Sequence, residues 1–139
     1  LRPRMICFPE IGSRYSPADE RFVRDETNAV TRAGNTWKAW TGGGEGADAY
    51  VLAARLSKRE RRWQNPMLVL DGHLSGFAVP ISVSSPRLWT AVDGALHLSF
   101  VQKVETNGLP AGVWETVCRN PDDYFPVWSE PEPAGSPAQ

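Results

Sequence analysis

The chain has 139 residues, with 15 basic and 16 acidic side chains and a formal net charge of -1. A chain of this length can bury a single core without metal or disulfide support. The balanced charge argues against a dedicated nucleic-acid or anionic-membrane binder, since such proteins depend on surplus lysine and arginine. No apolar run approaches the roughly 20 residues that span a bilayer. We therefore expect one domain, with no membrane span and no nucleic-acid partner.

Residues 1–35 show little regular pattern. Residues 4–8 fit one short strand that ends at Pro9. Residues 12–28 combine glycine, proline and seven charged side chains without periodicity, which predicts a loop. A short helix over residues 17–23, with Pro17 at its first position, is the one regular element that this stretch allows. We expect residues 1–35 to be an irregular N-terminal segment.

Residues 36–125 carry strand patterns and form the predicted β domain. Residues 48–56 fit either a helix capped by Asp48 or a strand, and the neighbouring patterns favour the strand. The Asp93-Gly94 pair is a strong hairpin signal between two strand patterns. The remaining strands are predicted at 36–40, 67–70, 77–83, 87–92, 95–104 and 113–118. The expected fold class is all-β, built from antiparallel hairpins, either propeller-blade-like or a β-sandwich, with at most one short helix.

Residues 126–139 are rich in proline, serine, glutamate and glycine. Such segments bury too little apolar surface to offset the entropy of ordering. We therefore predict a Pro-rich, disordered tail, above all over residues 130–139.

Four of the six tryptophans recur at spacings of 26, 26 and 25 residues: Trp37, Trp63, Trp89 and Trp114. A constant spacing of this size predicts a repeated hairpin unit. Each copy would place one large aromatic side chain at the same core position.

The two cysteines, Cys7 and Cys118, lie near opposite ends of the chain. A disulfide between them would close a loop of about 110 residues and stabilise the fold by roughly 4 kcal/mol. Such a pairing is typical of an exported protein, whereas two unrelated buried thiols are the alternative. We predict the disulfide and a secreted or periplasmic location. The first residue is Leu1 and no signal-peptide core follows, so we expect a processed chain, a trimmed chain or a piece of a longer one.

Residues 39–50 read AWTGGGEGADAY and continue through Arg55 to Trp63, and a second run, PRLW then DGALHLSF, follows at 86–100. Over residues 34–118 this order of motifs resembles the sialidase-like, BNR-repeat β-propeller proteins. No Asp-box of that family is complete, because Arg32 stands where the aspartate before Gly-x-Thr-Trp belongs. A propeller needs at least four blades, and this chain holds about two. The resemblance therefore implies a fragment of a propeller or a two-blade protomer that oligomerises, and an unrelated β domain is the alternative.

Hydrolysis in the resembled family uses an arginine cluster for the substrate carboxylate, and Arg55 and Arg87 are the candidates here. Glycan binding requires an aromatic face and polar side chains, which Trp40, Glu45 and Asp48 supply around the glycine-rich loop. We expect these five residues to contact ligand, with no catalytic residue and no cofactor. The cysteines and histidines have no metal-ligand spacing.

The sequence thus favours a non-enzymatic recognition module of an exported protein, which binds a glycan or a protein partner and forms a homo-oligomer in the two-blade interpretation. A fragment or subunit of a sialidase-like glycoside hydrolase is one alternative. A structural subunit of a larger assembly is another.

Overall fold

A computed structural model of the chain describes residues 4–5, 24–42, 50–64, 66–71, 83–103 and 110–134. These residues contain no helix and form two antiparallel sheets, so the predicted all-β fold is confirmed. The first sheet has the order β1-β6-β4-β3-β2, with β5 also paired to β4, and the second has the order β10-β9-β8-β7. The strands are β1 (Arg4–Met5), β2 (Arg24–Val30), β3 (Thr36–Gly42), β4 (Tyr50–Ser57), β5 (Arg62–Trp63), β6 (Met67–Asp71), β7 (Val83–Thr90), β8 (Leu96–Gln102), β9 (Gly112–Cys118) and β10 (Glu132–Pro133).

The strand predictions at 36–40, 67–70, 87–92, 95–104 and 113–118 are confirmed by β3, β6, β7, β8 and β9. β8 shows the expected alternation, because Leu96, Leu98 and Phe100 are buried while His97 and Ser99 are half-buried. The predicted helix at 17–23 and residues 77–82 of another predicted strand lie outside the described residues.

β4 settles the ambiguous segment as a strand over Tyr50–Ser57. Four consecutive residues of this strand, Val51, Leu52, Ala53 and Ala54, are all buried. Because successive side chains point to opposite faces, both faces of the strand are covered. A strand covered on both faces needs no polar alternation. This explains why its alanine and leucine content also fitted a helix.

β2 corrects the loop that was predicted over residues 12–28. It runs along the edge of the first sheet, so only alternate side chains are partly covered and no apolar pattern is required. Its place is fixed by pairing with β3 and by contact with β7, where the Leu88 backbone N donates to Thr27 Oγ1 at 3.2 Å. Residues 24–30 of the predicted irregular segment therefore form a strand.

The prediction of a disordered tail is wrong for residues 126–134. Trp128 is buried in the core and forms a β-bridge with Cys118. β10 then pairs with β9, and the Ser129 hydroxyl accepts the Val117 backbone N–H at 2.9 Å. Trp128 alone buries the apolar surface that orders this segment, although the surrounding residues are rich in proline and glutamate.

The two sheets repeat one pairing scheme. β2 pairs with β3 in the first sheet as β7 pairs with β8 in the second, and the paired residues differ by 60 in number. An irregularity interrupts both pairings at the same place. The matching pairs are Arg24–Thr41 and Ser84–Val101 before the irregularity, and Thr27–Ala39 and Arg87–Ser99 after it. We call β2–β6 the first unit and β7–β10 the second unit.

The turns and outer strands follow the same repeat. Gly34 and Gly94 both have φ of 89°, and both backbone N–H groups donate to the carbonyl three residues earlier, at 3.0 and 2.9 Å. On the outer side, Leu56 pairs with Trp63 in the first unit as Cys118 pairs with Trp128 in the second. The chain therefore contains two consecutive sheets with the same strand pairing, which form an internal repeat of about 60 residues.

The two units pack front to back. The face of the first unit that carries Trp37, Ala39, Val51 and Ala53 is its front, and it joins one core with the second sheet. The residues at the same register in the second unit, His97, Ser99, Val113 and Glu115, point away from that core. The second unit instead offers its back face, with these core residues: Leu88, Leu96, Leu98, Phe100 and Trp114. Trp37 contacts Trp128 edge-on across this interface, with ring centroids 5.6 Å apart.

The tryptophan ladder does not mark this repeat. Its members occupy four different register positions, on β3, β5, β7 and β9, and the repeat is about 60 residues long rather than 26. Trp37 and Trp114 are core residues, but Trp89 is 41% exposed. The regular spacing is coincidental, and the prediction that each copy carries one equivalent core tryptophan is wrong.

Cys118 is a free thiol buried at the end of β9, so the predicted Cys7–Cys118 disulfide is not present. Burial raises the pKa of Cys118 to about 11, although bonds from the Asn120 and Val127 backbone oppose the shift. A neutral thiol in this position behaves as a small apolar core side chain. Cys7 itself lies outside the described residues.

Candidate functional site

A loop over residues 120–127, the aromatic loop, is fixed to the first unit by buried side chains. Arg55 Nη1 donates to the carbonyl oxygens of Pro121 and Asp123 at 2.8 and 2.7 Å. Trp37 Nε1 also donates to the Pro121 carbonyl, at 3.2 Å. Since Arg55 and Trp37 lie opposite each other on β4 and β3, the sheet places both donors under the loop.

Polar groups within the loop hold its shape. Asn120 Oδ1 accepts the Val127 backbone N–H at 2.9 Å, and Asn120 Nδ2 donates to the Phe125 carbonyl at 3.1 Å. Asp122 reaches back to the first unit's turn, where it accepts bonds from the Thr31 hydroxyl and from Asn35 Nδ2, the latter at 2.7 Å. The loop is therefore preorganised by bonds at both ends and in its middle.

The loop nevertheless presents apolar rings to solvent. Tyr124 and Phe125 are 85% and 70% exposed, and their rings meet edge-on with centroids 4.6 Å apart. Two adjacent exposed aromatic side chains on a constrained loop are typical of a recognition surface. Their fixed presentation lowers the entropy that binding would cost.

A cleft of about 460 Å³ lies between this loop and the outer strands of the first unit. Its floor includes Arg55 and Trp37, and its rim includes the aromatic pair and the exposed Glu60–Arg62 ion pair, with Arg62 Nε and Glu60 Oε2 3.1 Å apart. The full lining is Trp37, Ala54, Arg55, Glu60, Arg62, Trp63, Gln64, Met67, Tyr124, Phe125 and Pro126.

Arg55 is the buried charge of this cleft, at 7% exposure. Its Nε donates to Gln64 Oε1 at 2.6 Å, and its guanidinium lies 5.9 Å from the Trp37 ring centroid. Among the described residues no carboxylate forms an ion pair with it, and none of its bonds to them uses Nη2. Within the described residues this buried cation is bonded only to neutral carbonyl and amide oxygens, which favours an acceptor or anion in the cleft.

The structure separates the residues predicted to contact ligand. Arg55 lines the cleft, but Trp40 lies on the back face of β3 and is fully buried, so its ring cannot stack on a ligand from solvent. Arg87 is exposed on β7, in a small depression beside Glu26 and away from the cleft lining. Glu45 and Asp48 lie outside the described residues.

The aromatic loop and Gln64 were missed by the sequence reasoning. The signal was present as Asp-Asp-Tyr-Phe-Pro at 122–126, two adjacent aromatic residues without strand or helix periodicity. The run stands between the last predicted strand and the Pro-rich segment, where no motif marks it.

No protein-family model matches the sequence, and no curated protein matches it either. Across the described ranges, no group of three or more His, Cys, Asp or Glu side chains is placed to hold a metal ion. Nor do those ranges contain a helix long and apolar enough to cross a membrane.

Proposed function

We propose that this chain is a non-enzymatic recognition module that binds a glycan in the cleft beneath the aromatic loop. The observation that carries the proposal is a preorganised loop that places Tyr124 and Phe125 beside the buried Arg55, which forms no ion pair with a carboxylate among the described residues. Sugars combine an apolar C–H face, which stacks on aromatic rings, with hydroxyls that bond arginine, amide and carboxylate groups. The cleft supplies each of these partners.

The charge of the cleft favours an acidic glycan. Arg55 is uncompensated among the described residues, and Arg62 adds a second cation at the rim beside Glu60. Arg55 attracts a carboxylate through its buried positive charge, since its Nε and Nη1 already donate to Gln64, Pro121 and Asp123, and a neutral sugar does not gain this attraction. The resemblance to sialidase-like proteins is compatible with this preference.

A titration with sialyllactose and lactose tests the proposal, because the two differ by one carboxylate-bearing sugar. We expect sialyllactose to bind more tightly, and Phe125→Ala to weaken the binding of both sugars about fivefold, since stacking on an aromatic ring contributes about 1 kcal/mol. Val127→Ala is the matched control, because Val127 is exposed on the same loop but does not line the cleft. Arg55→Lys should reduce the difference in affinity between sialyllactose and lactose.

Absence of binding at millimolar concentrations of both sugars would contradict the proposal. Equal effects of Phe125→Ala and Val127→Ala would also remove the cleft as the site. Calorimetry reports both affinities directly, and thermal unfolding of each variant shows whether the fold is retained.

A protein partner is the second candidate ligand, favoured by the exposed Tyr124–Phe125 pair. Aromatic residues of this kind form the energetic centres of protein interfaces. If the ligand is a protein, Phe125→Ala should weaken its binding. Neither sialyllactose nor lactose should then displace the protein from the cleft.

The hydrolase alternative has narrower support. Three of the five N–H groups of Arg55 already donate to Gln64, Pro121 and Asp123, so this arginine holds the loop rather than serving only a substrate. Release of a fluorophore from a sialoside, abolished by Arg55→Ala, would support that alternative.

Propeller blades are also four-stranded and pack in one repeated orientation, as these two units do. Closing a propeller from several copies would need the back face of the first unit, where Trp40, Leu52 and Ala54 are at most 1% exposed, so the repeat supports blade-like packing within the chain and not an oligomeric propeller. An exported location remains part of the proposal, although the free thiol of Cys118 removes the disulfide that first suggested it.

A further inference from the structure

The front face of the second unit is open, whereas the equivalent face of the first unit is buried. Val113 is 50% exposed where its counterpart Val51 is fully buried, and exposed Trp89 stands where the first unit has the partly buried Ala29. The second unit therefore keeps a sheet face without a described neighbour.

The side chains on this front face are ordered. The Trp89 ring stacks on the His97 ring with centroids 5.2 Å apart and planes 15° from parallel. His97 Nδ1 lies 2.9 Å from Glu115 Oε1. A tryptophan held flat by its neighbours loses little rotamer freedom on docking, which favours it as an interface anchor.

Charge is distributed unevenly across the same face. Arg87 stands on β7 at one edge of the sheet, while Glu132 stands on β10 at the opposite edge, paired with Glu115 of β9. The face is thus positive at one edge and negative at the other. If a second copy is rotated so that its β10 edge lies over the β7 edge of the first copy, opposite charges face each other at both edges.

Neither unit leaves its back face available to a second copy. On the first unit, Trp40, Leu52 and Ala54 are at most 1% exposed, and the second unit's back face is packed against the first unit's front. The front face of the second unit is therefore the sheet face that two copies can share.

We propose that two copies of this chain associate through the front faces of their second units, around a two-fold axis parallel to the strands. This axis sets β7 of one copy over β10 of the other, so Arg87 of each faces Glu132 of its partner. β7, β8 and β9 together with the two-residue β10 cover roughly 390 Å² per copy, from strand spacings of about 4.8 Å and rises of about 3.4 Å. A total of about 780 Å² is below the roughly 1,200 Å² of stable complexes, so the dimer is weak and forms reversibly.

The test is sedimentation equilibrium of the full chain over a concentration series, for wild type and three charge variants. Wild type should move from 15.4 kDa towards twice that mass as concentration rises. Arg87→Glu and Glu132→Arg should each weaken association about tenfold, because like charges then face each other, and the double variant should restore it. Trp89→Ala should also dissociate the dimer.

Two controls separate this surface from others. Val92→Lys changes a residue that is 95% exposed in the turn beside the face, and should leave association unchanged. Phe125→Ala, in the glycan cleft, should dimerise like wild type, so failure of either proposal leaves the other intact. A wild type that stays monomeric at about millimolar concentration, or a double charge reversal that fails to restore association, would overturn the proposal.

Discussion

Cys118 illustrates how one residue links core packing to chemistry. Its thiol is excluded from water at the junction of β9 with the aromatic loop, where Asn120 lies two residues further on. Burial penalises the thiolate, so the pKa rises from its ordinary value of 9.0 to about 11. The residue therefore contributes to stability as a neutral group and is a poor nucleophile.

This shift predicts a pH dependence of stability. Below about pH 9 the thiol is protonated in both folded and unfolded states, and its contribution is fully present. As the pH rises towards 11, the unfolded thiol ionises first, so the free energy of unfolding falls. Urea unfolding of wild type and Cys118→Ala at about pH 8 and about pH 10 measures the effect. An equal pH dependence in the two proteins would contradict the assignment.

Arg55 shows what residue-level reasoning can and cannot predict. The sequence identified it as a candidate ligand contact because arginine beside a strand suits carboxylate recognition. Its second role, donating to the Pro121 and Asp123 carbonyls, depends on a segment more than 60 residues away, which no local pattern reveals. Trp40 failed as a prediction for the same reason, since its burial is set by tertiary packing.

At the scale of elements, the two equivalent turns give a matched experiment. Gly34 and Gly94 share a φ of 89°, which strains any side chain with a Cβ. An added Cβ would meet only flexible side chains, Lys58 at 3.0 Å and Arg32 at 3.2 Å, so backbone conformation decides the cost. We expect Gly34→Ala and Gly94→Ala each to lower the free energy of unfolding by about 1–2 kcal/mol. Chemical denaturation measures both.

The control for this pair is Val92→Ala, because Val92 is highly exposed and its φ is not positive. It should change stability by less than about 0.5 kcal/mol. A large cost at one glycine and none at the other would contradict the structural equivalence of the turns.

Elements with a strong local pattern were predictable, and those fixed by distant partners were not. β8 alternates buried and half-buried side chains, and Asp93-Gly94 marks its turn, so both were recognised. β2 is polar because it lies at a sheet edge, and its strand conformation comes from pairing with β3. β10 is two residues long and is placed by β9 and Trp128. Neither carries a periodic signal in its own residues.

At the scale of the whole molecule, the repeat organises both proposed surfaces. The front of the first unit is covered by the second unit, and the aromatic loop leaves that second unit to lie over Arg55. The cleft is therefore built at the junction of two units, where ligand sites are commonly found. The front of the second unit, free of such a neighbour, is the surface proposed for self-association.

The central claim is that ligand binds in the cleft rather than on the open sheet face. Tryptophan reports on this directly, because Trp63 lines the cleft while Trp89 lies on the front face of the second unit. We would record the indole N–H resonances of uniformly nitrogen-labelled protein during titration with sialyllactose. We expect a saturable shift of the Trp63 resonance, with the Trp89 resonance unchanged. A saturable shift of the Trp89 resonance, with the Trp63 resonance unchanged, would place the ligand on the sheet face and contradict the proposed cleft site.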